Sequence, residues 1–276
     1  MSTDKPQNAV PAAIMSALRS SWGVAVILFL LVAAVFHSFI FSGDMLVSSD
    51  QMNGLYTKVF LKNALDIFNE FPLWFSSRLS GMPTIDTLFG DIFYPPSILI
   101  TLIAPIPKTI GYKMLLHIFM AGIFFFLMLR KGFGMNNFVS LTGGVLYMFN
   151  PQFDSHIYPG HDGKMYVISW LPFIVWQLKV LCESTGILTT TLLGVGIGLC
   201  ILTSHIQLTY FVLWGAGLYL LIAAMLLLFK NKDRKKALIV SGCFWGAEIK
   251  IDSKAVSYCR VDCAWMAVPV KETSHR

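Results

Sequence analysis

Charged residues are scarce in this chain of 276 residues: they make up 13% of it, whereas 55% of the residues are hydrophobic and the mean hydropathy is +0.66. This apolar content exceeds what the core of a soluble domain can bury, so the composition excludes a soluble globular protein and predicts a polytopic membrane protein. The net charge of +6 comes from short clusters of Lys and Arg beside apolar runs. These clusters form no basic face with interleaved aromatic residues, and the sequence therefore excludes nucleic-acid binding.

Cysteine is also sparse, and its five positions lack the even, close spacing of a disulfide framework. Cys182 and Cys200 lie in or beside apolar runs, which favours packing roles for them. A zinc site built near the C-terminus would have intervals of 15, 3 and 11 residues, outside the usual paired arrangement of zinc ligands; the residues concerned are Cys243, Cys259, Cys263 and His275. The sequence therefore assigns no metal site.

Long apolar runs dominate the chain, and a helix that rises 1.5 Å per residue needs about 20 residues to cross hydrocarbon. The first run, at 22–41, is longer than the apolar region of a signal peptide and no cleavage site follows it, so it is predicted to be an anchor. The apolar segment 92–107 contains four prolines, which predicts an interfacial or re-entrant helix instead of a span. The six predicted spans are 22–41, 110–129, 132–149, 165–181, 186–204 and 208–229.

The basic residues set the predicted orientation, because short cytoplasmic loops carry an excess of Lys and Arg. With a cytoplasmic N-terminus, Arg130, Lys131, Lys179 and the cluster at 230–236 all lie inside. The predicted fold is all-α, a polytopic bundle of about six transmembrane helices with a long outer first loop that carries interfacial helices. Its parts are a cytoplasmic N-terminus (1–21), a transmembrane region (22–229, outer loop 42–109), a basic cytoplasmic segment (230–240) and an atypical tail (241–276).

This topology gathers ionisable residues on the outer face of the membrane, although any loop in water is polar. Asp50 differs from the others because it follows the first span among few other charges. A carboxylate there can act as a general base on an acceptor hydroxyl or bind a metal ion. The other members of the outer group are Asp44, Asp86, Asp91, Asp154, His156, His161, Asp162, Lys164 and His205.

Lys113 and His117 stand four residues apart near the outer end of the second predicted span, so they share one helix face. An unpartnered charge inside a span costs about 2.5 to 3.5 kcal/mol. Three interpretations of Lys113 stay open: it snorkels to the interface, it meets the phosphate of a lipid-linked substrate, or it pairs with the carboxylate of Asp50. His37, which is alone in the first span, is predicted to make a helix–helix hydrogen bond.

A series of short motifs crosses the predicted outer loops. In chain order they are Ser49-Asp50-Gln51, Phe71-Pro72-Leu73-Trp74, Ser80-Gly81-Met82-Pro83, Tyr94-Pro95-Pro96, and His161 followed by Trp170-Leu171-Pro172. In this order and spacing they resemble the N-terminal part of the YfhO-type bacterial membrane proteins, which are similar to the GT-C class of polytopic glycosyltransferases. The resemblance covers residues 22–229.

The resemblance implies that a sugar moves from a polyprenyl phosphate carrier to an acceptor outside the bacterial cytoplasmic (inner) membrane. It implies a catalytic role for Asp50, and contacts to phosphate or sugar for Lys113, His117, His161 and Lys164. A divalent cation is a candidate cofactor. It has no assigned ligands, because Gln51 follows Asp50 where many GT-C enzymes have a second acidic residue. The expected partners are the lipid bilayer and a polyprenyl-phosphate-linked sugar, and no protein partner is predicted.

Members of this family are usually much longer, so the chain is interpreted as the front portion of such a protein. The apolar pattern stops abruptly near residue 241, and the tail is interpreted as an out-of-frame or fused end. Two other function classes stay open, a transporter and a structural membrane subunit without chemistry. Transporters usually show internal repeats and broken helices near the midplane of the membrane, and neither pattern is visible in this sequence.

Overall fold

The computed structural model describes residues 20–42, 44–45, 49–77, 79–84, 91–184, 186–229 and 242. Most of these residues are helical. Predictions about residues 1–19, Asp86, the basic segment 230–240 and nearly all of the tail fall outside the described residues. The α-helices are α1 (Ser21–Val35), α2 (His37–Phe41), α3 (Ser49–Phe68), α4 (Pro95–Ile103), α5 (Ile106–Leu127), α6 (Asn137–Met148), α7 (Pro151–Ile157), α8 (Asp162–Glu183), α9 (Ile187–Leu202) and α10 (Ile206–Phe229).

Helix α5 lies at the centre of the bundle. It begins next to two prolines, Pro105 and Pro107, which are tolerated there because the first turn of a helix leaves its N–H groups without intrahelical partners. Its buried residues are spread around the helix, which packs most extensively against α8 and α6 and also contacts α1. Helix α8 in turn packs against α9 and α10. The apolar core therefore has two parts, one around α5 and one between α8, α9 and α10.

In the described part of the chain, three helices are long and apolar enough to span a membrane: Ile106–Gly132, in which a π-helical turn (Met128–Gly132) continues α5, Asp162–Glu183 and Ile206–Phe229. They contain the second, fourth and sixth predicted spans, and they support the prediction of a helical membrane protein. The other three predicted spans correspond to shorter helices, since α1, α6 and α9 have 15, 12 and 16 residues. A helix of 15 residues rises about 22 Å, which is less than the roughly 30 Å of hydrocarbon in a bilayer. A total of six crossings stays a prediction.

The first predicted span is interrupted at Phe36, which has φ −101° and ψ 21° and separates α1 from α2. The break leaves carbonyl groups near the end of α1 in need of hydrogen-bond donors. The Nδ1 atom of His37 lies 2.9 Å from the carbonyl oxygen of Ala34, and its Nε2 atom lies 3.3 Å from Oγ of Ser38. The prediction of a helix–helix hydrogen bond for His37 is therefore wrong, because both contacts are local.

The long connection after α2 is mostly ordered secondary structure. Helix α3 is followed by two short antiparallel strands, β1 (Trp74–Phe75) and β2 (Met82–Pro83), with Trp74 opposite Pro83. Phe75 is fully buried and stacks on Phe60 of α3 with ring centroids 4.2 Å apart, which fixes the strands to that helix. A 3-10 turn (Asp91–Phe93) then leads into α4, which ends before Pro105. The segment 92–107 thus contains a short helix that stops before the central span, as its prolines predict.

Substituting Gly144→Ala is expected to destabilise the protein by about 1 to 3 kcal/mol, the usual cost of overpacking. A Cβ atom at Gly144 would lie 2.8 Å from the carbonyl oxygen of Gly122, and backbone cannot move aside as a side chain can. The matched control is Gly217→Ala in α10, where nothing lies within 4 Å of the added atom. Thermal unfolding of the detergent-solubilised variants measures both. Equal melting temperatures would contradict the close approach of α5 and α6.

Candidate functional site

Three of the predicted site residues meet at the beginning of α8. Asp50 lies in the first turn of α3, His161 is the N-cap residue of α8, and Lys164 lies in the first turn of α8. The Nε2 atom of His161 is 3.2 Å from Oδ2 of Asp50, and its Nδ1 atom is 3.2 Å from Nζ of Lys164. These three side chains, here called the polar triad, form one line of carboxylate, imidazole and ammonium, in which His161 has a charge contact with Asp50 and a hydrogen bond with Lys164.

The hydrogen-bond partners of His161 determine which of its nitrogens carries a proton. The ammonium of Lys164 can only donate, so Nδ1 of His161 must accept. The proton of a neutral imidazole is then on Nε2, the nitrogen that lies 3.2 Å from the carboxylate of Asp50. The side chains of Asp50 and His161 are 47% and 36% exposed, so the triad is accessible to a second molecule.

Two further histidines lie close to the polar triad. The ring of His156 has its centroid 6.3 Å from that of His161. His205 lies in the turn before α10 and is close to Gly163. A Cβ atom added to Gly163 would lie 3.3 Å from the Cβ atom of His205. Burial, followed by the positive charge of Lys164, lowers the pKa of His156 and the pKa of His205. The charge of Lys164 therefore creates a positive potential here, which disfavours protonation of both histidines and attracts anions.

Lys113 lies in a second group, which is buried. Its side chain is fully inaccessible and forms an ion pair with Asp91, while its Nζ atom is 3.8 Å from Oδ2 of Asp162. Lys58 joins the group through its Nζ atom, which is 3.2 Å from Oδ1 of Asp91. Two lysines and two aspartates, here called the buried charge cluster, balance one another. Snorkelling of Lys113 and its pairing with Asp50 are therefore both wrong; its contact with a lipid-linked phosphate stays a prediction.

The charges of Asp91 and Lys58 stabilise each other in spite of their burial. Burial alone would raise the pKa of the Asp91 carboxyl, but the ammonium groups of Lys113 and Lys58 hold this pKa well below its ordinary value. Burial would lower the pKa of Lys58, yet the carboxylates of Asp91 and Asp162 raise it above its ordinary value. Ser97 also donates a hydrogen bond of 2.6 Å to Asp91. Both residues are therefore ionised at neutral pH.

His117 is enclosed by a network in which its two nitrogens have partners. Its Nδ1 atom lies 2.6 Å from the carbonyl oxygen of Lys113, and its Nε2 atom lies 2.7 Å from the hydroxyl oxygen of Tyr94. The indole N–H of Trp170 donates to that hydroxyl oxygen at 2.7 Å. The ring of Tyr166 stacks on His117 with centroids 3.9 Å apart. This arrangement is self-consistent if Nδ1 carries the proton and the Tyr94 hydroxyl donates to Nε2.

Sequence reasoning named every member of the polar triad but missed most of the buried charge cluster. Asp91 and Asp162 were counted only as outer polar residues, and Lys58 was not considered because α3 was not predicted. One signal was available, since a lysine inside a span requires an anionic partner. That signal does not indicate which carboxylate is the partner, and the structure assigns the role to Asp91.

Comparison of the chain with protein-family models, curated proteins and solved structures found no match. Within the residues that the structure describes, no three His, Cys, Asp or Glu side chains are grouped to hold a metal ion. The geometry of the polar triad and of the buried charge cluster is therefore what indicates a function for this protein.

Proposed function

We propose that this protein is a membrane glycosyltransferase that moves a sugar from a polyprenyl phosphate carrier to an acceptor hydroxyl outside the cytoplasmic membrane. The observation that carries the proposal is the polar triad, with Asp50 Oδ2 and Lys164 Nζ each 3.2 Å from His161. Transfer from a lipid phosphate requires a base for the acceptor and a cation for the leaving phosphate. The triad supplies both at one accessible place beside membrane-spanning helices.

The proposed reaction is a single displacement. Asp50 accepts the proton of the acceptor hydroxyl, whose oxygen attacks the anomeric carbon of the sugar. The bond between that carbon and the phosphate oxygen breaks, and its electron pair leaves with the polyprenyl phosphate. His161 holds the carboxylate of Asp50 in position through its Nε2–H group, and Lys164 stabilises the charge on the leaving phosphate.

The roles of the other candidate residues follow from their partners. The charge of Lys113 is compensated by Asp91 and Asp162, and His117 bonds to Tyr94 and to a backbone carbonyl. In this proposal Lys113 and His117 support the helices that carry the triad. Phosphate binding falls to Lys164; the lowered pKa values of His156 and His205 leave both imidazoles uncharged at neutral pH, so they add no positive charge.

The proposed topology places the polar triad on the outer side of the bacterial cytoplasmic membrane. Support comes from the basic residues Arg130 and Lys131, which close the first long span and favour the cytoplasmic side. The triad lies at the opposite end of the next long span, at the start of α8. Six crossings and a cytoplasmic N-terminus belong to the same proposal.

Replacing Lys164 with Gln is expected to lower kcat/KM for the polyprenyl-phosphate sugar by about 10- to 100-fold, because its ammonium both binds the phosphate and stabilises the charge that develops on it. Hydrogen bonds to charged groups contribute about 1.5 to 3 kcal/mol, and each 1.4 kcal/mol corresponds to a tenfold change in affinity. The matched control is Lys179→Gln at the other end of α8, where Lys179 pairs with Glu183 on the surface. An unchanged kcat/KM for Lys164→Gln would remove the phosphate role from this residue.

The experiment that tests the function is an assay of membranes containing the protein with a polyprenyl phosphate that carries a labelled hexose. Protein-dependent loss of label from the lipid supports transfer. Solute flux across the membrane without loss of label would instead favour a transporter. If the protein is correctly inserted and shows neither loss of label nor solute flux, a structural subunit would be favoured.

A further inference from the structure

Helix α3 makes two charged contacts with the rest of the bundle. Near its beginning, Asp50 contacts His161 at 3.2 Å. Two turns later, Lys58 contacts Asp91 at 3.2 Å. Asp91 is linked through Lys113 to Asp162, the residue after His161 in the chain. Both contacts of α3 therefore lead to the beginning of α8.

The spacing of these two contacts restrains α3 in two ways. Lys58 lies eight positions after Asp50 in the helix, which corresponds to about 12 Å along the axis and a rotation of about 80° around it. Apolar packing alone tolerates small sliding and rotation of a helix. Two contacts separated in height and angle fix both movements.

Burial makes the Lys58 contact specific to one position of α3. Lys58 is 4% exposed and Asp91 is 5% exposed, so neither charge can exchange its partner for water without a movement of the helix. A charged group that loses its buried partner carries the full cost of its desolvation. A shifted α3 is therefore disfavoured for as long as Lys58 is present.

Among the described residues, Lys58 is the member of the buried charge cluster that α3 contributes. The other members come from the 3-10 turn, α5 and α8, and Ser97 of α4 also binds Asp91. If Lys58 is removed, Asp91 still has Lys113 and Ser97 as partners. Loss of Lys58 therefore releases α3 without removing the compensation of Asp91.

We infer that Lys58 is a positioning residue for Asp50: its ion pair with Asp91 sets the position of α3 and so holds the Asp50 carboxylate against His161. The effect of this ion pair on catalysis rests on the proposed function. Its effect on the position of α3 is independent of that function. A displacement of about 1 Å at a reacting group lowers turnover by about a hundredfold.

A cross-linking experiment tests the position directly and needs no activity. In a full-length variant whose five native cysteines are replaced by alanine, Asp50→Cys and His161→Cys are joined by a short bifunctional methanethiosulfonate. These substitutions remove the first charged contact of α3, so Lys58 supplies the other one alone. Adding Lys58→Met is expected to lower the cross-linked fraction about tenfold, which corresponds to 1.4 kcal/mol of lost anchoring. The matched control is Lys62→Met, one turn further along α3, which should leave cross-linking unchanged.

Efficient cross-linking in the presence of Lys58→Met would overturn the inference. If that variant does not fold, Lys58→Gln takes its place, since it removes the charge but keeps a hydrogen-bond donor for Asp91, and the same loss is expected. With Asp50, His161 and the native cysteines in place, Lys58→Met should lower kcat by up to about tenfold, the same 1.4 kcal/mol of lost anchoring, and leave the KM for the labelled polyprenyl-phosphate hexose unchanged. A protein that transfers no sugar would refute the proposed function and still give an interpretable cross-linking result.

Discussion

Asp50→Asn is expected to reduce sugar transfer by about 10²- to 10⁴-fold, the usual contribution of a positioned general base. Asparagine has the shape of aspartate and keeps an oxygen beside His161, but its amide oxygen is too weak a base for the acceptor proton. Insertion into the membrane and thermal stability should be retained, because Asp50 is half exposed. The measurement is transfer of labelled hexose from polyprenyl phosphate by membranes that contain equal amounts of each variant.

The control for this experiment is Asp44→Asn, which removes an exposed acidic residue before α3. It should leave transfer unchanged. Because both substitutions remove one negative charge from the same segment, a loss seen only in Asp50→Asn is not caused by the change in charge. Undiminished transfer by Asp50→Asn would show that this carboxylate is not the base. The triad would then need a different chemical interpretation.

Asp91→Asn is expected to destabilise the protein by about 3 to 5 kcal/mol, the cost of removing one partner from a buried ion pair. The carboxylate of Asp91 lies between two ammonium groups, at 3.2 Å from Nζ of Lys58 and in direct contact with Lys113. Without it, two buried positive charges face each other with only Asp162 nearby. Unfolding in mixed detergent micelles measures the loss, and the exposed Asp154→Asn is the matched control.

The pH dependence of stability provides a second test of the buried charge cluster. The depressed pKa of Asp91 means that the unfolded chain binds its proton more readily than the folded chain does. The stabilisation by Asp91 is therefore complete above its unfolded pKa of about 3.9 and is lost as the pH falls further. Between pH 5 and pH 8 the wild-type protein should lose no stability from this group. A difference below about 1 kcal/mol between wild type and Asp91→Asn at pH 7 would contradict the cluster.

The helices that were predictable from the sequence are those with long, uninterrupted apolar runs. α5, α8 and α10 lie where the runs predict them. A helix that crosses the hydrocarbon needs about 20 apolar residues, and a run of this length is visible in the sequence. The prediction of a span from residue 132 was too long. Gly134 has a positive φ of 69°, and Asn136 caps α6 by accepting a hydrogen bond from the backbone N–H of Val139, so the helix begins only at Asn137.

Helix α3 illustrates the opposite limit. It begins with Ser49, Asp50 and Gln51, and its apolar residues are spread around the helix instead of forming one stripe, so periodicity gives little sign of it. Its position depends on contacts with segments that are distant in sequence. The stacking of Phe60 on Phe75 and the pairing of Lys58 with Asp91 join residues 15 and 33 positions apart. The members of the polar triad were predictable one by one from their chemistry, whereas their mutual contacts depend on the placement of α3.

The same distinction applies to the residues inside the central span. The four-residue spacing of Lys113 and His117 predicts one shared face, and the bond from the His117 ring to the Lys113 carbonyl agrees with it. The sequence also indicates that Lys113 needs a partner. It does not show that Asp91, 22 residues earlier, supplies the carboxylate.

The most direct test of the proposed function is the loss of labelled hexose from polyprenyl phosphate in membranes that contain the protein and a hydroxyl acceptor. Wild-type protein is predicted to remove label from the lipid fraction, and Asp50→Asn at equal density is predicted to remove about 10²- to 10⁴-fold less. Equal rates for the two proteins, or no loss above that in membranes without the protein, would contradict the assignment of the polar triad as the site of sugar transfer.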